Sequence, residues 1–346
     1  MVNGKWLLEM ELIIWCSIFI ISLYALIKAA DWLTMGLQKI AGGAANGFAI
    51  ASVCVVLPEL AATIAAVMQG EPRLAVAIVI GSSIANILLV TGIGAVSAKS
   101  IAVKAEHVDQ DLPIFVASVL FFCLVAYDGK INLLEGFLAV VIFFVYAAYV
   151  FSQNRRHALT PRDIITSESI GGAVSRLVEV IPTRLERNFE RIKNAGHHSS
   201  WKTVLFLAGG AALLVVAANF TIDSVVNISK IIEIPAVITA MIVLAIGATL
   251  PEIFSGLEVA RKKRYEIMMG NVFSIATINL LMVAGVGALF MTLPVDGVVL
   301  TVGLPFLAAS SILITVSAIS RRINFGEGIM YLFFYLLFFV KLLDIF

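Results

Sequence analysis

The chain has 346 residues, 60% of them hydrophobic and only 14% charged, with a formal net charge of +1 and a mean hydropathy of +1.01. Soluble domains carry about 25% charged residues, so this composition excludes an ordinary soluble enzyme, and the near-zero charge suggests no nucleic-acid partner. What remains is an all-α polytopic membrane protein, with the lipid bilayer as its first partner and room for roughly ten spans of about 20 residues.

Apolar runs predict helices near 11–30, 44–69, 74–97, 112–127, 131–151, 202–222, 235–260, 266–291, 298–319 and 326–345. The first run is followed by further spans and lacks a small-residue cleavage site, so it is expected to span rather than to act as a cleavable signal peptide. Asp31 and Asp223 fall near the ends of the first and sixth runs and are expected at the membrane interface. Cys16, Cys54 and Cys123 lie in apolar runs without metal spacing or a disulfide framework, which reads as packing. Residues 152–201 are polar and contain RLERNFERIKNAGHHS. They read as a surface linker with some amphipathic helix; His197 and His198 alone do not define a metal site.

Basic residues set the orientation. With the linker in the cytoplasm, about 19 Lys and Arg fall on its side and about 5 on the other. Ten spans then leave both termini outside the cytoplasm, in a membrane expected to be a prokaryotic cell (inner) membrane.

The second helix carries VVLPELAAT at 55–63, and the seventh carries ATLPEIFSG at 248–256. Glu59 and Glu252 are 193 residues apart, and the same offset pairs Pro58 with Pro251, Asn86 with Asn279, Gly92 with Gly285 and Gly94 with Gly287. This is internal duplication: a first transmembrane repeat at 1–151, a polar cytoplasmic linker at 152–201, and a second repeat at 202–346. Five spans per half is an odd number, so the second half enters the membrane from the opposite face. The result is an inverted-topology repeat, an architecture that places substrate sites at the midplane where helices are interrupted.

Pro58 has no N–H for the carbonyl of Cys54, and Pro251 none for that of Gly247. Bare carbonyls are tolerated at membrane depth only where they line a protein cavity, and a carboxylate there marks function. Glu59, Glu252, the freed carbonyls and the amide oxygens of Asn86 and Asn279 would make a cluster of hard oxygen donors suited to Ca²⁺. Two facing carboxylates repel in a low dielectric, and a cation or a proton relieves the repulsion. An empty, charged carrier would then be poorly able to change its facing, which favours obligatory exchange over leak. Ser82, one turn before Asn86, could face the same cavity. Thr249 is either a ligand or a hydroxyl satisfied by its own helix. The four glycines read as sites of close helix packing.

These motifs resemble those of the cation/calcium exchanger superfamily, close to the prokaryotic sodium/calcium antiporters. SVCVVLPEL with GEPRLAVAIVIGSSIAN, and AIGATLPEI with MGNVFSIATIN, are similar to the two alpha repeats of that family. The resemblance implies ten helices, a Ca²⁺ or Na⁺ site between Glu59 and Glu252, and sliding of helices 1 and 6 across the core. It also exposes departures. Val55 and Val56 stand where the family carries Thr-Ser, Ala248 replaces one hydroxyl while Thr249 keeps the other, and the counterpart of Ser82 is Ile275.

The expected function is secondary active antiport of Ca²⁺ for Na⁺ by alternating access. The metal-ligating set would be Glu59, Glu252, Asn86, Asn279, Ser82 and Thr249. The transported ions Ca²⁺, Na⁺ or H⁺ are cargo, and no resident cofactor is expected. The missing hydroxyls keep open an H⁺-coupled exchanger, a carrier of another divalent such as Mg²⁺ or Mn²⁺, and a non-transporting relative of the same fold. A membrane enzyme is disfavoured, since no HExxH or nucleophile elbow occurs.

Overall fold

A computed structural model describes residues 2–41, 54–105, 107–157, 201–261 and 265–344. Ten apolar helices run through these residues. They are α1 (Val2–Ala41), α2 (Leu57–Met68), α3 (Pro72–Ala98), α4 (His107–Ala126), α5 (Leu133–His157), α6 (Trp201–Ile231), α7 (236–261), α8 (265–290), α9 (Val299–Ile319) and α10 (Phe325–Asp344). Eight are long and apolar enough to cross a membrane, and two shorter apolar helices, Leu57–Met68 and Leu133–Tyr149, complete the set. The polar segment with His197 and His198 lies outside the described residues.

Burial separates core from periphery. The apolar window of α3 is 94% buried and that of α8 78%, against 22% for α1 and 28% for α6. α3 and α8 are therefore apolar all round and enclosed by protein, whereas α1 and α6 present wide apolar faces outward, as lipid-facing helices do. α1 and α6 pack against each other, tied by Thr221 Oγ1 donating to Ser22 Oγ at 3.0 Å.

Two small antiparallel sheets reveal the inversion. Ser100–Ala102, after α3, pairs with Arg322–Asn324, between α9 and α10; Lys130–Ile131, between α4 and α5, pairs with Leu293–Pro294, between α8 and α9. Each pair maps onto the other when the halves are exchanged. The first and second sheets are separated by α4, 20 residues or about 30 Å long, so they cap opposite ends of the molecule. Equivalent loops of the two halves thus sit on opposite faces, which is the inverted repeat that the odd span count requires.

The glycines lock this arrangement. A Cβ at Gly92 on α3 would lie 3.1 Å from the Gly328 carbonyl of α10, and one at Gly285 on α8 would lie 2.9 Å from the Gly136 carbonyl of α5. Only small residues allow backbones this close, and the two crossings are counterparts of each other.

The repeat also reaches further than the 193-residue register. π-helical turns interrupt α3 at Asn86–Val90 and α8 at Asn279–Val283, in register at 193. Others begin α4 at His107–Asp111 and α9 at Val299–Gly303, in register at 192. The same one-residue shift aligns two caps: Glu135 Oε2 accepts from Asn132 N–H at 2.7 Å, and Glu327 Oε2 from Asn324 N–H at 2.6 Å. These are the return contacts of a capping box, and the shift hides them from an ungapped comparison.

Three helices run past their predicted ends. α1 continues to Ala41, α5 to His157 and α6 to Ile231. Helical hydrogen bonding does not stop where hydropathy falls, and the 40 residues of α1 extend about 60 Å. Asp31 and Asp223 therefore lie inside helices longer than the hydropathy runs predict.

Candidate cation-binding site

Each glutamate is placed by a proline, but in two different ways. In the first half the helix breaks at Val56 (φ −95°, ψ 8°), and α2 begins at Leu57 with Pro58 in its first turn. Leu60 N–H donates to the Val56 carbonyl at 2.9 Å. Pro58 thus occupies a position where a helix needs no N–H, and Glu59 sits at the positive end of the α2 dipole. The expected interruption falls at Val56, and Pro58 stands in the first turn of the helix that resumes there. In the second half Pro251 lies inside α7, where its missing N–H leaves the Gly247 carbonyl without a helical donor.

Asn86 and Asn279 open the two central π turns. A π turn inserts one extra residue and re-aims the side chains around it, and such turns occur often at functional sites. The Asn86 amide donates through Nδ2 to the Val272 carbonyl of α8 at 3.1 Å, and Asn279 Nδ2 donates to Ser82 Oγ of α3 at 3.2 Å. The two central helices therefore exchange amide donors. Both amide N–H groups are turned to protein, and both amide oxygens are left over.

Four such oxygens remain. Glu59 Oε2, Glu252 Oε2, Asn86 Oδ1 and Asn279 Oδ1 are buried and have no hydrogen-bond partner. The Glu59 and Glu252 carboxylates are close enough to repel. Buried polar groups are normally paired, and an orphan signals a missing water or ion. These four orphans are acceptors, so the complement they lack is a donor or a positive charge.

Beside them is a cavity of about 80 Å³, with Asp31, Thr34, Cys54, Asn86, Glu252 and Asn271 in its wall. A water needs roughly 10–15 Å³ of such space, so the cavity admits a partly hydrated cation. Of the six residues singled out in the sequence, Asn86 and Glu252 line it. Glu59, Asn279, Ser82 and Thr249 are buried and lie outside that wall. Ser82 Oγ donates to the Val79 carbonyl at 3.3 Å and receives Asn279. Thr249 Oγ1 donates to Ala245 O at 2.9 Å and Ile246 O at 3.1 Å, so its proton is satisfied by its own helix. Val55, Ala248 and Ile275 all face the cavity, placing apolar surface where the resemblance would put hydroxyls. Among the described residues, no three His, Cys, Asp or Glu side chains gather into a metal cluster.

Several polar lining residues escape sequence reasoning. Asp31 and Thr34 come from α1, whose run lacks any Pro-Glu signal, and Ser255 and Asn271 have no like residue at the 193-residue offset. Thr63, one turn beyond Glu59, could have been found from its i+4 spacing; its hydroxyl and that of Ser83 are also buried and unpartnered.

An inverted helical repeat with bare carboxylate oxygens in its centre defines the class as a transporter-type membrane protein. The model of the family "Sodium/calcium exchanger protein" matches residues 14–152 and 202–343, and the chain belongs to that family. It is 24% identical over 352 residues to the sodium/calcium exchanger MaX1 of Methanosarcina acetivorans, covering 94% of this chain and 97% of that one. It is 26% identical over 325 residues to the putative antiporter CaxA of Alkalimonas amylolytica, covering 90% and 93%. Among solved structures, the sodium-calcium exchanger NCX_Mj soaked with Na⁺ and no Ca²⁺ matches with a TM-score of 0.58 at 20% identity, over 94% of this chain and 98% of that one. This likeness is one of fold.

Proposed function

We propose that the chain is a secondary active antiporter that exchanges Ca²⁺ for Na⁺ by alternating access. The observation that carries this reading is the set of four buried, unpartnered oxygens from Glu59, Glu252, Asn86 and Asn279. Two carboxylates that repel each other away from bulk water favour a state in which positive charge lies between them. Cation exchange replaces one such charge by another and avoids the bare pair. Ser82 and Thr249 take part as supporting hydroxyls: Ser82 holds Asn279, and each keeps lone pairs for an ion. The repeats 1–151 and 202–346 move relative to each other about the site, with 152–201 as a cytoplasmic linker. The protein sits in a prokaryotic inner membrane with both termini outside the cytoplasm.

A second reading is exchange coupled to H⁺, or of Mg²⁺ or Mn²⁺. It is favoured by Val55, Ala248 and Ile275 in the cavity wall, which supply no oxygen. Flux into sealed vesicles separates the two. A Na⁺ gradient is expected to drive Ca²⁺ uptake; uptake driven by an imposed pH gradient alone would replace the sodium reading with the second.

A further inference from the structure

Cys54 lies in the wall of the same cavity as Glu252 and Asn86, yet Ca²⁺ exchange makes no use of a thiol. The apolar run around Cys54 reads as packing, and the residue is buried while also bordering the cavity. Its 193-residue counterpart is Gly247, where a Cβ would lie 2.6 Å from Leu23 Cδ2. The second half therefore carries no side chain at this position, where one would require Leu23 to move, and the first half carries sulfur there.

The surroundings leave that sulfur available. Cys54 shares the cavity wall with Thr34 of α1. Thr34 Oγ1 donates its proton to the Ala30 carbonyl at 2.7 Å, so it does not occupy the sulfur lone pairs. The sulfur lone pairs remain for a cation. Across the cavity wall, Asn86 is 1% exposed, and its Oδ1, like Glu252 Oε2, has no partner. These two orphaned acceptors independently mark the cavity as a place for positive charge.

Donor type then decides which charge. Hydroxyls and carboxylates suit hard ions, whereas thiolates select softer ones such as Zn²⁺. This cavity has valine, alanine and isoleucine at 55, 248 and 275 and a thiol at 54. We propose that Cys54, with Glu252 and Asn86, makes this cavity a site for thiophilic divalent cations of the Zn²⁺ and Cd²⁺ class. Binding forms a sulfur–metal bond, and the thiol proton leaves to water. The set contains one thiol, one carboxylate and one amide, in keeping with the absence of any three-residue cluster of His, Cys, Asp and Glu among the described residues. This inference rests on the reading of the cavity as a cation site.

The test is a Cd²⁺ titration of the purified full chain, followed by the ultraviolet sulfur-to-metal charge-transfer band. A saturable band is expected in the wild type and in the Cys16→Ser/Cys123→Ser double variant, and not in Cys54→Ser. Partners outside the coordination sphere are worth about 10–100-fold in metal affinity, so calorimetry should show Cys54→Ser binding Cd²⁺ at least about tenfold more weakly. Should Cys54→Ser not fold, the wild type still decides: Cd²⁺ should protect Cys54, and neither Cys16 nor Cys123, from alkylation as read by mass spectrometry. A band that survives Cys54→Ser, or equal alkylation with and without Cd²⁺, overturns the proposal. A wild type with Na⁺-driven Ca²⁺ flux but no band removes the thiol site alone. A band without any Ca²⁺ flux removes the antiport reading and leaves the thiol site standing.

Discussion

A carboxylate out of water is stable only with a partner, and Glu59 and Glu252 each hold one oxygen bare. Glu59→Gln or Glu252→Gln is expected to abolish Na⁺-driven Ca²⁺ flux in vesicles. The same variants should lose the stabilisation that Ca²⁺ confers on the wild type in thermal melts, about 2.7 kcal/mol at 100 times the dissociation constant. Unchanged flux in both would rule out the site. Asn86 makes a different prediction because its amide does two jobs. Asn86→Leu removes the bond to the Val272 carbonyl, an acceptor that keeps its own helical donor, so the loss is about 0.5–1.5 kcal/mol. It should lower both the melting temperature and the cation affinity, whereas Glu252→Gln should spare the cation-free melting temperature. At this scale the sequence was legible where chemistry repeats. Pro-Glu and Asn recur at one offset, and such pairs in apolar helices are too costly to be incidental. Asp31, Thr34 and Asn271 were not legible, because what makes them notable is the cavity they share and no spacing along the chain encodes it.

Between elements, close crossings and single polar ties set the behaviour. Gly285→Leu would drive a side chain into the Gly136 carbonyl, and overpacking of this kind costs about 1–3 kcal/mol or more; the loss should be visible as a lower melting temperature in detergent. Gln69, after α2, donates through Nε2 to the backbone carbonyl of Asn219 on α6 at 3.2 Å and to its Oδ1 at 3.0 Å. The counterparts of these residues at the same offset are Lys262 and Leu26, and leucine offers no side-chain acceptor for the second of these bonds. In an inverted repeat the two facing states are images of each other. A side-chain-to-side-chain tie that the sequence permits in one half only therefore favours one state. Gln69→Ala should shift the balance of facing by about 0.5–1.5 kcal/mol, roughly 2–12-fold. Labelling of Ser255→Cys by an impermeant thiol reagent from each side, in a background without the native cysteines, reads that ratio. An unchanged ratio would reduce the tie to packing.

For the molecule as a whole, the two sheets at opposite ends predict a sidedness. Ala102→Cys and Lys130→Cys lie one helix apart. In cells, an impermeant maleimide added outside should label Lys130→Cys and spare Ala102→Cys, as the excess of basic residues on the linker side requires. The reverse pattern would invert the proposed topology. Hydropathy, span parity and the 193-residue repeat determined by themselves that the chain crosses a membrane as two inverted halves, because lipid leaves few solutions for an apolar backbone and a duplicated odd number of spans must flip. Only the tertiary structure decided that Pro58 starts a helix while Pro251 sits within one, that α3 and α8 trade amide donors and leave their oxygens bare, and that a cysteine opens onto the central cavity. Those outcomes depend on which side chains meet across helices far apart in sequence, and such contacts are set by packing.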